Sequence, residues 1–222
     1  MKEFKRLRKI LNQGIKKMLP DNLLVYRGNR KSNKVAITFD DGPYLDNTYK
    51  ILKILEKHNV KASFFMNGRA IEQHRKAFCK VIEAGHEIDN HLYNHRPVST
   101  LTYKELHREV IQWENSVQGI ISLNNLPRFL RPPDGRVDLK TLWYAWKNSK
   151  TIVLWSVDTC DLDGLSFEDN IKMLESKFLS SGDIILLHED AKYIDGLLEW
   201  IIEKAKSQGL EFCKVSDLLK KV

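Results

Sequence analysis

The sequence predicts a parallel α/β fold, a distorted and incomplete (β/α)7 barrel, on three observations. From Lys34 onward, short apolar runs alternate with amphipathic segments, the mark of repeated strand–helix units. The runs number seven, which suits a barrel that does not close. Polar residues collect where these runs end: Asp40 and Asp41, Asp89 to His95, Arg131 to Gly135, Asp158 and Asp161, and His188. In parallel sheets and barrels the C-terminal strand ends form one face, where active sites sit. Chance placement explains one or two such segments and strains at five.

The expected strands are 35–40 (VAITFD), 62–66 (ASFFM), 87–90 (EIDN), 129–132 (FLRP), 151–157 (TIVLWSV), 183–188 (DIILLH) and 211–215 (EFCKV). Between them, apolar residues at three- and four-residue spacing, such as Ile51, Leu52 and Leu55, predict helices near 47–58, 69–84, 102–119, 138–149, 168–179 and 191–208. No repeat, low-complexity tract or interior linker divides this body, so residues 34–222 read as one domain behind an extension of residues 1–33.

The net charge of +7 is unevenly spread. Of 36 basic and 29 acidic residues, eleven and two lie within residues 1–34, leaving 25 and 27 for the body. Within the extension, Phe4, Leu7, Ile10, Leu11, Ile15, Met18 and Leu19 recur at helical spacing among lysines and arginines, until Pro20 stops the pattern. Such a basic amphipathic helix suits either an anionic membrane surface, through residues 1–20, or packing of its apolar stripe on the body. Nucleic acid is a poor partner, because one Phe offers little to stack on bases. Cys79, Cys160 and Cys213 stand too far apart for a thiolate zinc motif or a disulfide framework. No run of 18 apolar residues suggests a membrane span, and the N-terminus lacks the apolar stretch of a secretory signal. These features lead to an expected cytoplasmic location, peripheral on the inner membrane face.

Two motifs carry chemistry by themselves. In Thr38-Phe39-Asp40-Asp41-Gly42-Pro43, Gly-Pro punctuates the strand end, so two carboxylates lie where the chain begins to turn. One can bind a metal while the other takes a proton. In His91-Leu92-Tyr93-Asn94-His95, two imidazoles four residues apart can meet on one side of a helix or tight loop. With Asp41 they make a two-His, one-carboxylate set that leaves positions open for water, a composition suited to zinc or another divalent transition metal.

With these residues in view, the chain resembles the polysaccharide deacetylases of carbohydrate esterase family 4 (the NodB homology domain) over roughly residues 34 to 220. That group includes chitin, peptidoglycan and nodulation-factor deacetylases. TFDDGP matches the first family motif residue for residue. The resemblance implies Asp40 as general base and Asp41, His91 and His95 as ligands of a divalent ion, zinc first, with cobalt or nickel as alternatives. It implies no organic cofactor. Leu92 stands where a hydroxyl residue usually braces the loop. Arg131-Pro132-Pro133-Asp134-Gly135 resembles the third motif, with Arg131 holding Asp40, the Asp134 amide facing the oxyanion and Pro133 beside it. Asp134 replaces the usual aromatic residue of the groove wall. Trp155 to Leu162 resembles a fourth motif, W-x-x-D-x-x-D-W, with Leu162 at the final Trp. Leu186-Leu187-His188 matches the fifth, with Leu186 at the substrate and His188 as general acid, oriented by Asp158.

The implied reaction is hydrolysis of an N-acyl group, acetyl foremost, from an amino sugar of a polysaccharide, oligosaccharide or glycolipid. One rival is deformylation or deacetylation of a lipid-linked amino sugar at the cytoplasmic membrane face, which the basic extension, Asp134 and Leu162 favour. The other is an inactive glycan-binding homologue. That reading requires a missing base, acid or ligand, and none is missing.

Overall fold

A computed structural model describes residues 22–122, 126–176 and 179–220. The amphipathic helix expected over residues 4–19 lies outside them. The central strand is β2 (Lys34–Asp40), buried at every position after Lys34. A run apolar on both faces is what a parallel strand covered on both sides requires. Around it stand β3 (Ser63–Met66), β4 (Glu87–Asn90), β5 (Phe129–Leu130), β6 (Thr151–Val153), β7 (Val157–Asp158) and β8 (Ile184–His188). β1 (Leu24–Val25) and β9 (Glu211–Phe212) complete the sheet. All strand pairs are parallel, in the order β1-β6-β5-β4-β3-β2-β8-β7, with β9 beside the start of β2. β1 and β7 end this order, so the barrel is incomplete, as the sequence predicts.

Side-chain alternation sorts each strand onto two faces. Val35, Ile37, Phe39, Phe64, Met66, Ile185 and Leu187 point outward into the main core. There they meet α1 (Leu45–Lys57), α2 (Gly68–Gln73), α3 (Arg75–Glu83), α4 (Tyr103–Ser116) and α7 (Ile194–Ser207), through residues such as Ile51, Leu55, Phe78, Trp113 and Leu198. Each such buried side chain contributes about 1.5–3 kcal/mol of transfer free energy. The opposite face carries Ala36, Phe65, Val153 and Ile184 inside the barrel. Helix starts follow their sequence signals. Thr102 and Glu105 form a capping box on α4, and Asp138 and Ser166 cap α5 (Leu139–Lys147) and α6 (Phe167–Glu175).

Four elements differ from expectation. The body begins before residue 34, because Leu24 and Val25 pair with Ile152 and Val153 and bury Leu23 and Leu24 against Leu142 and Ala145. Two residues give no periodicity to read. The single strand expected over 151–157 is two, because the Val153 and Leu154 carbonyls accept from the Arg131 guanidinium instead of continuing a ladder. The helix expected over 69–84 breaks at His74, whose backbone is non-helical. The strand expected over 211–215 stops at Phe212, and α8 (Val215–Leu218) follows. Ser63 Oγ and Glu87 Oε2 accept from the Val215 and Ser216 amides at that helix start, while Val215 and Leu218 fill the barrel interior.

Candidate active site

The polar segments do meet at the C-terminal ends of the strands. Asp40 ends β2 and pairs in register with His188, the last residue of β8. Asp40, on the inner face, is 3% exposed. Its Oδ1 accepts from Arg131 Nη1 at 2.6 Å. Arg131 is itself fully buried, over the Phe65 ring with its Cζ 3.8 Å from the centroid. It also donates to Thr38 Oγ1 at 2.9 Å and to the carbonyls of Val153 and Leu154 at 3.0 and 3.3 Å. A buried cation is tolerated only when paired and hydrogen-bonded, and this one is both.

Beyond Asp40 the chain turns sharply. Asp41 takes φ 74°, which moves its carboxylate off the strand's alternation and toward the same site. Asn67 Nδ2 donates to its carbonyl at 2.6 Å and fixes the turn. The Asp41 Oδ1 atom lies 3.5 Å from His91 Nε2 and 3.1 Å from His95 Nε2. One ligand atom from each of the three residues falls within 4.8 Å of the others. The His91 Nδ1–H donates to the Arg131 carbonyl at 2.7 Å, which leaves Nε2 free to face the carboxylates. Asp41 Oδ1 is buried and accepts no hydrogen bond, an orphaned acceptor that a cation would satisfy.

The charges agree. Burial would raise Asp41, but the His91, His95 and His188 rings outweigh it and bring it down to about 2. Burial and the neighbouring His91 push His95 down, toward the neutral ring a ligand must have. His91 is held up against burial by Asp40 and Asp41, so a positive charge is what this point favours. The three residues therefore fit a divalent ion.

The histidine loop is braced by residues the sequence did not single out. Asn90 Oδ1 accepts from the Leu92 amide at 2.8 Å, and Glu109 takes the Asn94 amide and side chain at 2.7 and 3.0 Å. Leu92 packs with Val98, Leu106, Val110 and Tyr144, so at the position of the family's hydroxyl residue the support is apolar. Glu189, next to His188, is fully buried. Its Oε2 accepts from Thr48 Oγ1, and its Oε1 would lie 1.7 Å from a Cβ placed on Gly42.

His188 Nδ1 donates to Asp161 Oδ1 at 2.8 Å, and its amide donates to Asp161 Oδ2 at 2.7 Å. This corrects the assignment of that role to Asp158, whose Oδ1 instead accepts from the Cys160 amide at 3.0 Å. Cys160 is left-handed, φ 54°, and turns the loop so that the second aspartate reaches the histidine. Burial lowers His188, but the Asp161 hydrogen bond and charge outweigh it and push the ring up to about 9. Asp134 is left-handed as well, φ 55°, with its carboxylate 3.7 Å from Arg136 Nε at the surface. Pro133 and Leu186 are buried, and Leu162 is half exposed. Asp41, Leu92, His95, Asp134 and Cys160 thus share a backbone region that costs about 1–3 kcal/mol where a larger side chain adopts it.

The fold and the site now have relatives to be set beside. A family model for polysaccharide deacetylase matches residues 27–153. The chain belongs to the polysaccharide deacetylase family. A Bacillus cereus peptidoglycan-N-acetylglucosamine deacetylase is 35% identical over 193 residues, covering 84% of this chain and 68% of its own length. Listeria monocytogenes PgdA, of the same description, is 31% identical over 91% of this chain, which spans only 43% of that relative. Among solved structures, the Bc1960 peptidoglycan N-acetylglucosamine deacetylase superposes with a TM-score of 0.83 at 30% identity, covering 90% of this chain and 94% of that one. A family pseudoenzyme, BA3943 of Bacillus anthracis, reaches 0.81 at 26% identity over 90% of this chain and 69% of its own. A polysaccharide deacetylase fold therefore occurs with and without turnover, and the assembled side chains must carry the argument for catalysis.

Proposed function

We propose that this polysaccharide deacetylase is a metal-dependent hydrolase that removes an N-acyl group, acetyl foremost, from an amino sugar of a glycan. The observation that carries the reading is the convergence of five side chains at one mouth. These are a buried carboxylate locked by Arg131, a three-residue cation set beside it, and an Asp-paired histidine on the adjacent strand. Relatives described as peptidoglycan-N-acetylglucosamine deacetylases favour an N-acetyl amino sugar of peptidoglycan as the substrate class.

A divalent ion held by Asp41, His91 and His95, zinc by the donor set, would acidify a water and polarise the acyl carbonyl. Asp40, held by Arg131, is placed to take a proton from the attacking water. The Asp134 amide is assigned to the oxyanion, a role worth a few kcal/mol in comparable sites. His188 enters protonated, held so by Asp161, and gives its proton to the departing sugar amine. A second reading, the same hydrolysis on a lipid-linked amino sugar, is supported by the basic extension together with Asp134 and the half-exposed Leu162. Purified protein should release acetate from chito-oligosaccharides or peptidoglycan fragments, with Asp40→Asn slower by about 10²–10⁴-fold at unchanged metal content. Hydrolysis confined to lipid-linked amino sugars would select the second reading. No release from any of them would reject both.

A further inference from the structure

We propose that the outer face of α5, formed by Leu139, Trp143 and Trp146, docks on an anionic lipid bilayer and holds the active-site mouth at the membrane. These residues are 84%, 55% and 62% exposed, among the most exposed large apolar side chains described. Their spacing, i, i+4 and i+7, puts them on one helix face, while Thr141, Leu142, Tyr144 and Ala145 bury the other. The Trp rings lie 5.0 Å apart at 34°, so they stand out as one wedge. Trp is the side chain whose apolar body and N–H suit the headgroup level of a bilayer.

Charge complementarity selects the lipid. Lys147 is exposed at the C-terminal end of the ridge, and Lys104 and Arg108 are exposed on the neighbouring α4. The acids at the start of α5 already face cations: Asp134 faces Arg136, and Asp138 lies 3.1 Å from Lys140 Nζ. Leu139 follows Asp134 by five residues, so the ridge starts at the rim of the mouth. Apolar wedge and flanking cations together suit an anionic bilayer.

The inference rests on the proposed hydrolase only for what reaches the mouth, so binding and turnover are measured separately. The full-length protein and a Trp143→Ala/Trp146→Ala variant are titrated with phosphatidylglycerol-containing vesicles and with neutral phosphatidylcholine vesicles. The full-length protein should bind the anionic vesicles, less tightly as salt rises, and the variant about tenfold more weakly as apolar area is lost. Both should melt at the same temperature and hydrolyse a soluble N-acetyl amino sugar equally. Loss of that hydrolysis in the full-length protein would count against the enzymatic reading and leave the docking result standing. Equal vesicle binding by the two proteins overturns the proposal. So does an increase in acrylamide quenching of Trp when residues 1–21 are removed from vesicle-free protein, since the chain's own apolar stripe would then be the occupant. Weaker capture of a long soluble glycan by the variant, at unchanged vesicle binding, would make the ridge a sugar platform and overturn it too.

Discussion

At the scale of single residues, the pair Asp161 and His188 decides how the site responds to pH. Two aspartates three positions apart flank the same loop, and residue type alone does not say which one reaches the histidine. The choice is made by the left-handed backbone at Cys160, a conformation that sequence does not announce at a cysteine. Asp40, Asp41, His91 and His95 stood out as carboxylates and imidazoles at the ends of apolar runs, whereas the contact of Arg131 with Asp40 was expected only from the family resemblance. With its ring raised to about 9, His188 stays protonated through neutrality, as the proposed general acid must. Turnover should therefore fall only as pH approaches that value, and Asp161→Asn should move this alkaline limb toward the ordinary histidine range near 6.5. A pH profile of kcat/KM tests this, and an unmoved limb would mean that another group sets it. The same linkage acts on stability. The contribution from a raised histidine is complete below its ordinary value and is lost as pH rises through about 9.

At the scale of elements, the strand ends β2, β3, β4 and β8 could be read within a residue or two, because unbroken apolar runs bounded by turn residues admit few alternatives. β1 and the split between β6 and β7 could not, since both depend on partners distant in sequence: Ile152 for Leu24, and Arg131 for the Val153 carbonyl. The turn after β2 is fixed in the same non-local way. Glycine at position 42 leaves the space that Glu189 fills, and Glu189 is fully buried and held there by Thr48. Burial also raises that carboxyl to about 8, so it is neutral where the enzyme would work. Gly42→Ala should cost about 1–3 kcal/mol of stability, as overpacked sites do. Denaturant titration measures this, and a wild-type midpoint would show that Glu189 can move aside.

For the molecule as a whole, the proposed cation site ties together segments fifty residues apart, Asp41 after β2 and the histidines after β4. An ion bound only by the folded state stabilises it by about 2.7 kcal/mol at one hundred times its dissociation constant. For a domain of this size that corresponds to a rise in Tm of about 5–10 °C. Zinc added to chelator-stripped protein should produce such a rise, and His91→Ala should abolish it along with bound metal by elemental analysis. An equal rise in His91→Ala would place the ion elsewhere. The fold class was open to sequence reading because it follows from periodicity, whereas the proposed roles at this site came from the resemblance of its motifs to the family's. The brace around the site, from Asn67, Asn90, Glu109 and Glu189, was not legible, because those residues act through backbone contacts that only the folded chain creates.

The Arg131 guanidinium has a consequence of another kind. It is grasped at once by Thr38 and Asp40 from one strand and by the Val153 and Leu154 carbonyls from another, on opposite sides of the strand order. None of these partners is near it in the chain, and with any of them missing a buried charge is left uncompensated. Asp40 thus acquires its buried, charge-paired environment only when the barrel wall has been assembled from β2 round to β6. A chain folded only in part would hold that carboxylate without its guanidinium.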